Sequence, residues 1–285
     1  MHRNVLIEEI KTKRSFLCVG LDTSLDKIPA HLQKKPNAIF EFNKQIIDAT
    51  KDLCVSYKIN TAFYEALGVK GWEAMEQTVN YIPSTHFKIA DAKRGDIGNT
   101  SSQYAKAFFE TLNFDAITVA PYMGEDSVRP FLEYENKWTI VLGLTSNKGA
   151  NDFEMLKVVD KKNDHNRELM VGENSSHGEQ YLYEKVLTTI SKWGTTNNLM
   201  FVIGATQASE LSSIRRIIPD HFLLVPGVGF QGGSLQEVAQ YGLNKDCGLI
   251  VNASRAIIYA GADENFATEA REIALQYQAE MSALL

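Results

Sequence analysis

His86-Phe87-Lys88-Ile89-Ala90-Asp91-Ala92-Lys93-Arg94-Gly95-Asp96-Ile97-Gly98-Asn99-Thr100 is the stretch from which the rest of the chain can be read. Residues 86–90 form a short apolar run suited to a strand, and residues 101–109 read as a helix. Two carboxylates therefore flank one ammonium where a strand ends and a helix begins. Asp91 and Lys93 are two apart, so an extended backbone places them on one face. Gly95 lets the chain turn before Asp96. A helix N-terminus accounts for Asp96, because acids favour that end and Asp caps well. It does not account for Asp91 and Lys93 together, and the spacing marks them as candidates for catalysis.

The same strand-then-helix unit recurs on both sides. Residues 3–13 read as a short amphipathic helix. Residues 16–21 are continuously apolar, the pattern of a strand buried on both faces, and Asp22 follows at its end. A helix over 38–53 carries Ile39, Phe42, Ile46 and Ile47, and a strand over 55–59 has Lys58 near its end. A helix over 73–82 leads into the opening stretch. Downstream, strands are predicted at 115–119, 138–142, 199–203, 222–225 and 248–251. Helices are predicted from about 126, over 181–193 and 209–217, from 234, and from about 264 to the end. Eight short strands alternating with helices, in a chain somewhat above ~250 residues, predict a single-domain α/β fold, the (β/α)8 TIM barrel. A doubly wound open sheet is the alternative. In a barrel, function collects at the C-terminal ends of strands, and Asp22, Lys58, Asp91 and Lys93 all fall there.

One segment breaks the rhythm. Residues 143–180 are long for a βα loop, which typically has ~2–6 residues. Residues 155–159 could pair with 168–171 as a hairpin across 161–166, covering the barrel mouth; a plain surface loop explains the segment equally well.

Composition narrows the classes. The chain has 285 residues, 44% hydrophobic and 22% charged, with a formal net charge of −6. That balance argues against wholesale binding to nucleic acid or an anionic membrane while leaving room for a local positive pocket. Cys18, Cys54 and Cys247 are far apart and form no CxxC, so buried reduced thiols are expected. The histidines show no metal-binding spacing. The only apolar run at the N-terminus, residues 5–7, is too short for a signal-peptide core, and no stretch is long enough to span a bilayer. A cytoplasmic enzyme is the simplest class.

A second constellation lies near the C-terminus. Pro226-Gly227-Val228-Gly229-Phe230-Gln231-Gly232-Gly233 contains GxGxxG, but too late in the chain for a dinucleotide fingerprint, and the following strand ends in Asn252 rather than an acid. In a barrel, the loops after strands seven and eight commonly hold a phosphate on backbone N–H groups and a helix N-terminus. The loop after strand eight supplies Asn252-Ala253-Ser254-Arg255, and Arg255 can grip a phosphate with two N–H groups. A surface ion pair is the plainer role for Arg255.

Together these residues resemble the orotidine 5′-phosphate decarboxylase family over nearly the whole chain. The family's DxKxxD motif matches Asp91, Lys93 and Asp96, its strand-one Asp matches Asp22, and its strand-two Lys matches Lys58. Lys58-Ile59-Asn60, Ala62-Phe63-Tyr64-Glu65 and Thr145-Ser146-Asn147 look like the longer bacterial form. The resemblance implies removal of CO2 from C6 of a pyrimidine nucleotide to give UMP, without cofactor or metal. It implies that Lys93 stabilises the ring carbanion and protonates it, with Asp91 beside the substrate carboxylate. Flanking acids should keep Lys93 charged. It further implies that Lys58 and Asp22 bind ribose hydroxyls, that Ser146 contacts the base, and that Gln231 closes over the phosphate. Pro226, Gly227, Gly232, Gly233 and Arg255 would cradle that phosphate. The family pairs its barrels, so Asp96 and Thr100 are expected to complete the site of a second copy in a homodimer. The nearest rival is a Mg²⁺-dependent sugar-phosphate lyase sharing DxKxxD and the phosphate site, which prefers an acidic metal ligand where this chain has Lys58. A non-catalytic phosphate-binding barrel is the rival outside enzymes; it has no use for Lys58, Asp91, Lys93 and Asp96 together.

Overall fold

The structure, a computed structural model, describes residues 1–159, 179–229 and 232–285. Eight parallel strands close into a barrel: β1 (Leu17–Gly20), β2 (Ser56–Asn60), β3 (Phe87–Arg94), β4 (Ala116–Val119), β5 (Trp138–Leu144), β8 (Leu199–Ile203), β9 (Phe222–Pro226) and β10 (Leu249–Ala253). β1 pairs in parallel with both β2 and β10, so the sheet has no edges and the open doubly wound alternative is excluded. Each strand faces barrel side chains inward and helices outward. Nearly every strand residue is therefore buried, and the strands read as unbroken apolar runs rather than alternating ones.

Helices follow the strands around the outside. Ala38–Thr50, Val69–Tyr81, Gly98–Lys106, Glu125–Leu132, Leu182–Ile190, Leu211–Ile217, Leu235–Gly242 and Phe266–Leu284 fall close to the expected positions. Val69–Tyr81 starts four residues earlier than periodicity suggests, because Gly68 at φ +63° turns the chain directly into it. Thr61–Glu65 is an unforeseen short helix, capped by the Asn60 side chain, which accepts from the backbone N of Ala62 at 3.2 Å.

The insertion after β5 carries an antiparallel pair, β6 (Lys157–Val159) with β7 (Glu179–Tyr181), in the register Lys157↔Tyr181. The expected partner, 168–171, and the expected turn at 161–166 lie outside the described residues. The partner seen for 157–159 is 179–181, which sits directly before the helix Leu182–Ile190 and so shares its anchoring to the barrel wall.

The N-terminal helix Arg3–Lys13 plugs the barrel end opposite the strand C-termini. Arg3 donates to the carbonyls of Thr196 and Asp220, both at 2.8 Å, and stacks over Phe222 at 4.8 Å. Two buried histidines flank this end of the molecule. Burial first, then Arg3 and Arg215, holds the His221 pKa down at about 4; burial and Lys13 do the same for His86. An unfolded histidine titrates near ~6.5. Between pH 6.5 and 4 the unfolded chain binds protons that the native chain refuses, so this part of the stability is complete above 6.5 and is lost as the pH falls towards 4. Thermal unfolding should show a falling midpoint over that window, worth about 1–2 kcal/mol per histidine at pH 5. His221→Leu should flatten the slope by roughly one histidine's share. An unchanged slope would assign the acid sensitivity elsewhere.

Candidate active site

Four charged side chains of alternating sign meet at the C-terminal ends of β1, β2 and β3. Lys58 is 3% exposed, and its Nζ lies 3.1 Å from Asp22 Oδ1 and 3.1 Å from Asp91 Oδ2. The other oxygen of Asp91 accepts from Lys93 Nζ at 2.5 Å. Burial opposes the charge on Asp91, but Lys58 and Lys93 outweigh it and hold the carboxyl well below the usual carboxylate range. Burial likewise opposes the charge on Lys58, and Asp22 and Asp91 raise its pKa above the ordinary lysine value. The Cys18 thiol is pushed up to about 12 by burial and stays neutral. All three cysteines are buried and unpaired with one another.

Each member of the quartet is held by the fold. The Asp22 backbone is clamped from two sides. Tyr259 donates its hydroxyl to the Asp22 carbonyl at 3.1 Å and accepts from the backbone N of Ser24 at 2.8 Å. On the other side Tyr64 donates to the Leu21 carbonyl at 2.9 Å, and Asn43 ties Tyr64, Thr23 and Thr78 into one buried network. Lys58 and Asp91 are consecutive inward positions on neighbouring strands, because β2 and β3 pair Ile89 with Lys58 and Asp91 with Asn60. Lys93 has φ +48°, a left-handed conformation that is rare for a residue with a side chain.

The phosphate candidates adjoin the quartet. Asp22, Lys58, Asp91, Pro226, Gly227 and Arg255 all line one cavity of about 190 Å³. Gly227 adopts φ +97°, which bends the chain over the end of β9. Gly233 closes the turn by donating its N–H to the Gly227 carbonyl at 3.2 Å, and a Cβ there would lie 2.4 Å from the Ala205 Cβ. Gly232 is at φ +88° within the same turn. Gln231 lies outside the described residues. A larger cavity, about 420 Å³, opens at the opposite barrel end among His2, Arg3 and Asn136, and none of the quartet reaches it.

Ser146 sits just past β5, partly exposed. Its neighbour Thr145 is gripped by Glu154, which accepts from the Thr145 backbone N at 2.6 Å and hydroxyl at 2.9 Å. Among the described residues neither Asp96 nor Thr100 hydrogen-bonds to a member of the quartet. The Asp96 carboxylate accepts from the backbone N of Ile97 at 2.7 Å, and among the described residues it makes no ion pair with Lys93. Thr100, in the first turn of Gly98–Lys106, donates its backbone N–H to the Ile97 carbonyl.

Asn60, Asn252 and Ser254, which lie in stretches already singled out in the sequence, also line the cavity. Thr118 on β4, which the sequence reading passed over, touches both Asp91 and Lys93. A single threonine within the buried run of β4 was the available signal. Among the described residues no three His, Cys, Asp or Glu side chains come together as a metal site. The two acids that could begin one, Asp22 and Asp91, are bridged by Lys58.

Residues 15–272 match the family model "Orotidine 5'-phosphate decarboxylase / HUMPS family". The chain is 57% identical to the orotidine 5'-phosphate decarboxylase of Flavobacterium johnsoniae, over 98% of this chain and 97% of the relative. It is 55% identical to the protein of the same name from Phocaeicola vulgatus, over 100% and 99%. The solved structure of Leishmania donovani OMP decarboxylase superposes with a TM-score of 0.76 at 35% identity, covering 98% of this chain and 99% of that one. Barrel, strand-end charges and full-length relatives agree: the chain belongs to the orotidine 5'-phosphate decarboxylase family.

Proposed function

We propose that this chain removes CO2 from orotidine 5′-phosphate to give UMP, with Lys93 as the proton donor. The observation that carries the reading is the unbroken line Asp22, Lys58, Asp91, Lys93 beside the glycine turn and Arg255. The bond from C6 to the carboxylate breaks, CO2 leaves, and the electron pair stays on C6. A fixed ammonium beside that carbon stabilises the growing charge without rearrangement, then gives up its proton to complete UMP. Lys93 is replenished from water. Asp91 holds the ammonium in place and adjoins the departing carboxylate. Lys58 and Asp22 take the ribose hydroxyls, Ser146 the base, and Arg255 with Pro226, Gly227, Gly232 and Gly233 the phosphate, over which Gln231 closes. Asp96 of the partner subunit and Thr100 of the partner subunit complete the site in a homodimer. The chemistry calls for no cofactor and no metal, and a cytoplasmic location goes with it.

The lyase reading needs a divalent cation near Asp22 and Asp91. Lys58 already stands between them, and its positive charge would repel Mg²⁺. Among the described residues no helix is long and apolar enough to cross a membrane.

The test follows orotidine 5′-phosphate spectrophotometrically. The wild-type protein should convert it to UMP. Arg255→Ala should raise KM on the order of 100-fold or more, since a charge-assisted, two-pronged phosphate contact is lost. The same variant should leave turnover of the phosphate-free nucleoside nearly unchanged. Equal damage to both substrates would make Arg255 a structural residue, and no conversion by the wild type would remove the reading altogether.

A further inference from the structure

We propose that Thr118 is a positioning residue that fixes Asp91 and Lys93 relative to each other; the inference rests on the reading that these two carry the chemistry. The ladder between β3 and β4 shows why such a residue is needed. Ala90 pairs with Ile117 and Arg94 with Val119, so Asp91, Ala92 and Lys93 stand against Thr118 alone. Three residues facing one form a bulge, and a bulge strips backbone groups of their ladder partners. The same bulge puts Lys93 at φ +48°, a conformation that persists only where the surroundings impose it.

The Thr118 side chain takes over what the ladder has lost. Its hydroxyl accepts from the backbone N of Lys93 at 2.9 Å and donates to Asp91 Oδ1 at 3.1 Å. The direction is forced. A backbone N–H only donates, so it occupies a lone pair of the hydroxyl, and the single hydroxyl proton is left for the carboxylate, which as an ion only accepts. Asp91 Oδ1 thus receives Thr118 and Lys93, while Oδ2 receives Lys58. Through one side chain, the backbone that carries Lys93 and the carboxylate that receives its ammonium share a common anchor.

Thr118 is 1% exposed, so solvent cannot replace the hydroxyl if it is removed. Valine has nearly the same shape but would orphan the Lys93 N–H and take a donor from Asp91. The lysine would then sample positions away from the reacting carbon, and misplacement of a catalytic group is felt in turnover before it is felt in binding.

Thr118→Val, Thr118→Ser and Lys93→Ala should be compared as purified full-length proteins, with orotidine 5′-phosphate as substrate and UMP as binding probe. Thr118→Val is expected to lower kcat about 10- to 100-fold, with KM and UMP affinity within about threefold of wild type. Thr118→Ser, which keeps the hydroxyl, should stay within about threefold of wild type in kcat. If circular dichroism shows that the valine variant does not fold, Thr118→Ala carries the same comparison against serine. A valine variant within twofold of wild type would overturn the proposal while Lys93→Ala remained inactive. Serine as damaging as valine would also overturn it, since the methyl group and packing would then be what matters. Substantial turnover by Lys93→Ala would instead overturn the reading of the site, and the proposal with it.

Discussion

Replacing Lys93 by alanine should lower kcat by about 10⁴-fold or more, because in the proposed reaction one side chain supplies both the charge beside the developing carbanion and the proton that quenches it. Binding should suffer far less. A UMP-like ligand takes most of its affinity from phosphate and ribose contacts, so its Kd should stay within roughly tenfold of wild type. The electrostatics limit the damage to the protein itself. Lys93 is half exposed, whereas the buried Lys58 still neutralises Asp91 from the other side. A collapse of turnover with binding intact assigns Lys93 to the chemical step. Turnover above about a hundredth of wild type would rule it out as the proton donor.

Mixing two dead proteins should restore activity. Asp96 makes no ion pair with Lys93 among the described residues, although the motif places the two only three residues apart. The Asp96 carboxylate instead accepts from the Ile97 backbone N at 2.7 Å, and the Asp96 backbone N donates to the Ser101 hydroxyl at 3.1 Å. In a two-fold dimer each chain lends the same element to the other. Lys93→Ala and Asp96→Ala should each be inactive alone. In a mixed dimer one site collects both defects and the other collects neither. Random mixing makes half the dimers mixed, so activity per site should return to about a quarter of wild type. If each site drew all its residues from one chain, every site would carry one defect and nothing would return. Mass spectrometry showing mixed dimers without activity would end the shared-site proposal.

The barrel was legible because its strands are buried on both faces. Runs such as 16–21 and 199–203 can hardly be anything but central strands, and each is followed by a helical pattern. Strand ends therefore located Asp22, Lys58, Asp91 and Lys93, and pairing with neighbouring strands brought them into contact. Features that depend on backbone geometry were not legible. Nothing in the composition of residues 91–93 announces a bulge, so the role of Thr118 was hidden behind a strand that reads as ordinary. The start of Val69–Tyr81 depends on the φ of Gly68, which amphipathic periodicity does not encode. The pairing of Lys157–Val159 with Glu179–Tyr181 was not legible either. Residues 179–181 carry no apolar run that would announce a strand, yet the pairing continues beyond them as Leu182 donates its N–H to the Leu156 carbonyl at 2.8 Å.

The clamp on Asp22 links early and late parts of the barrel in time as well as in space. Ser24 and Tyr259, joined by one of its hydrogen bonds, are separated by 235 positions in the chain. A chain growing on the ribosome has made Asp22, Lys58, Asp91 and Lys93 long before the tyrosine that fixes the first of them emerges. The closing strand, β10, comes only just before it. Synthesis thus delivers the charged groups early and the geometry late. The nascent chain must carry four ionised side chains, not yet locked together, until nearly the whole barrel has left the ribosome.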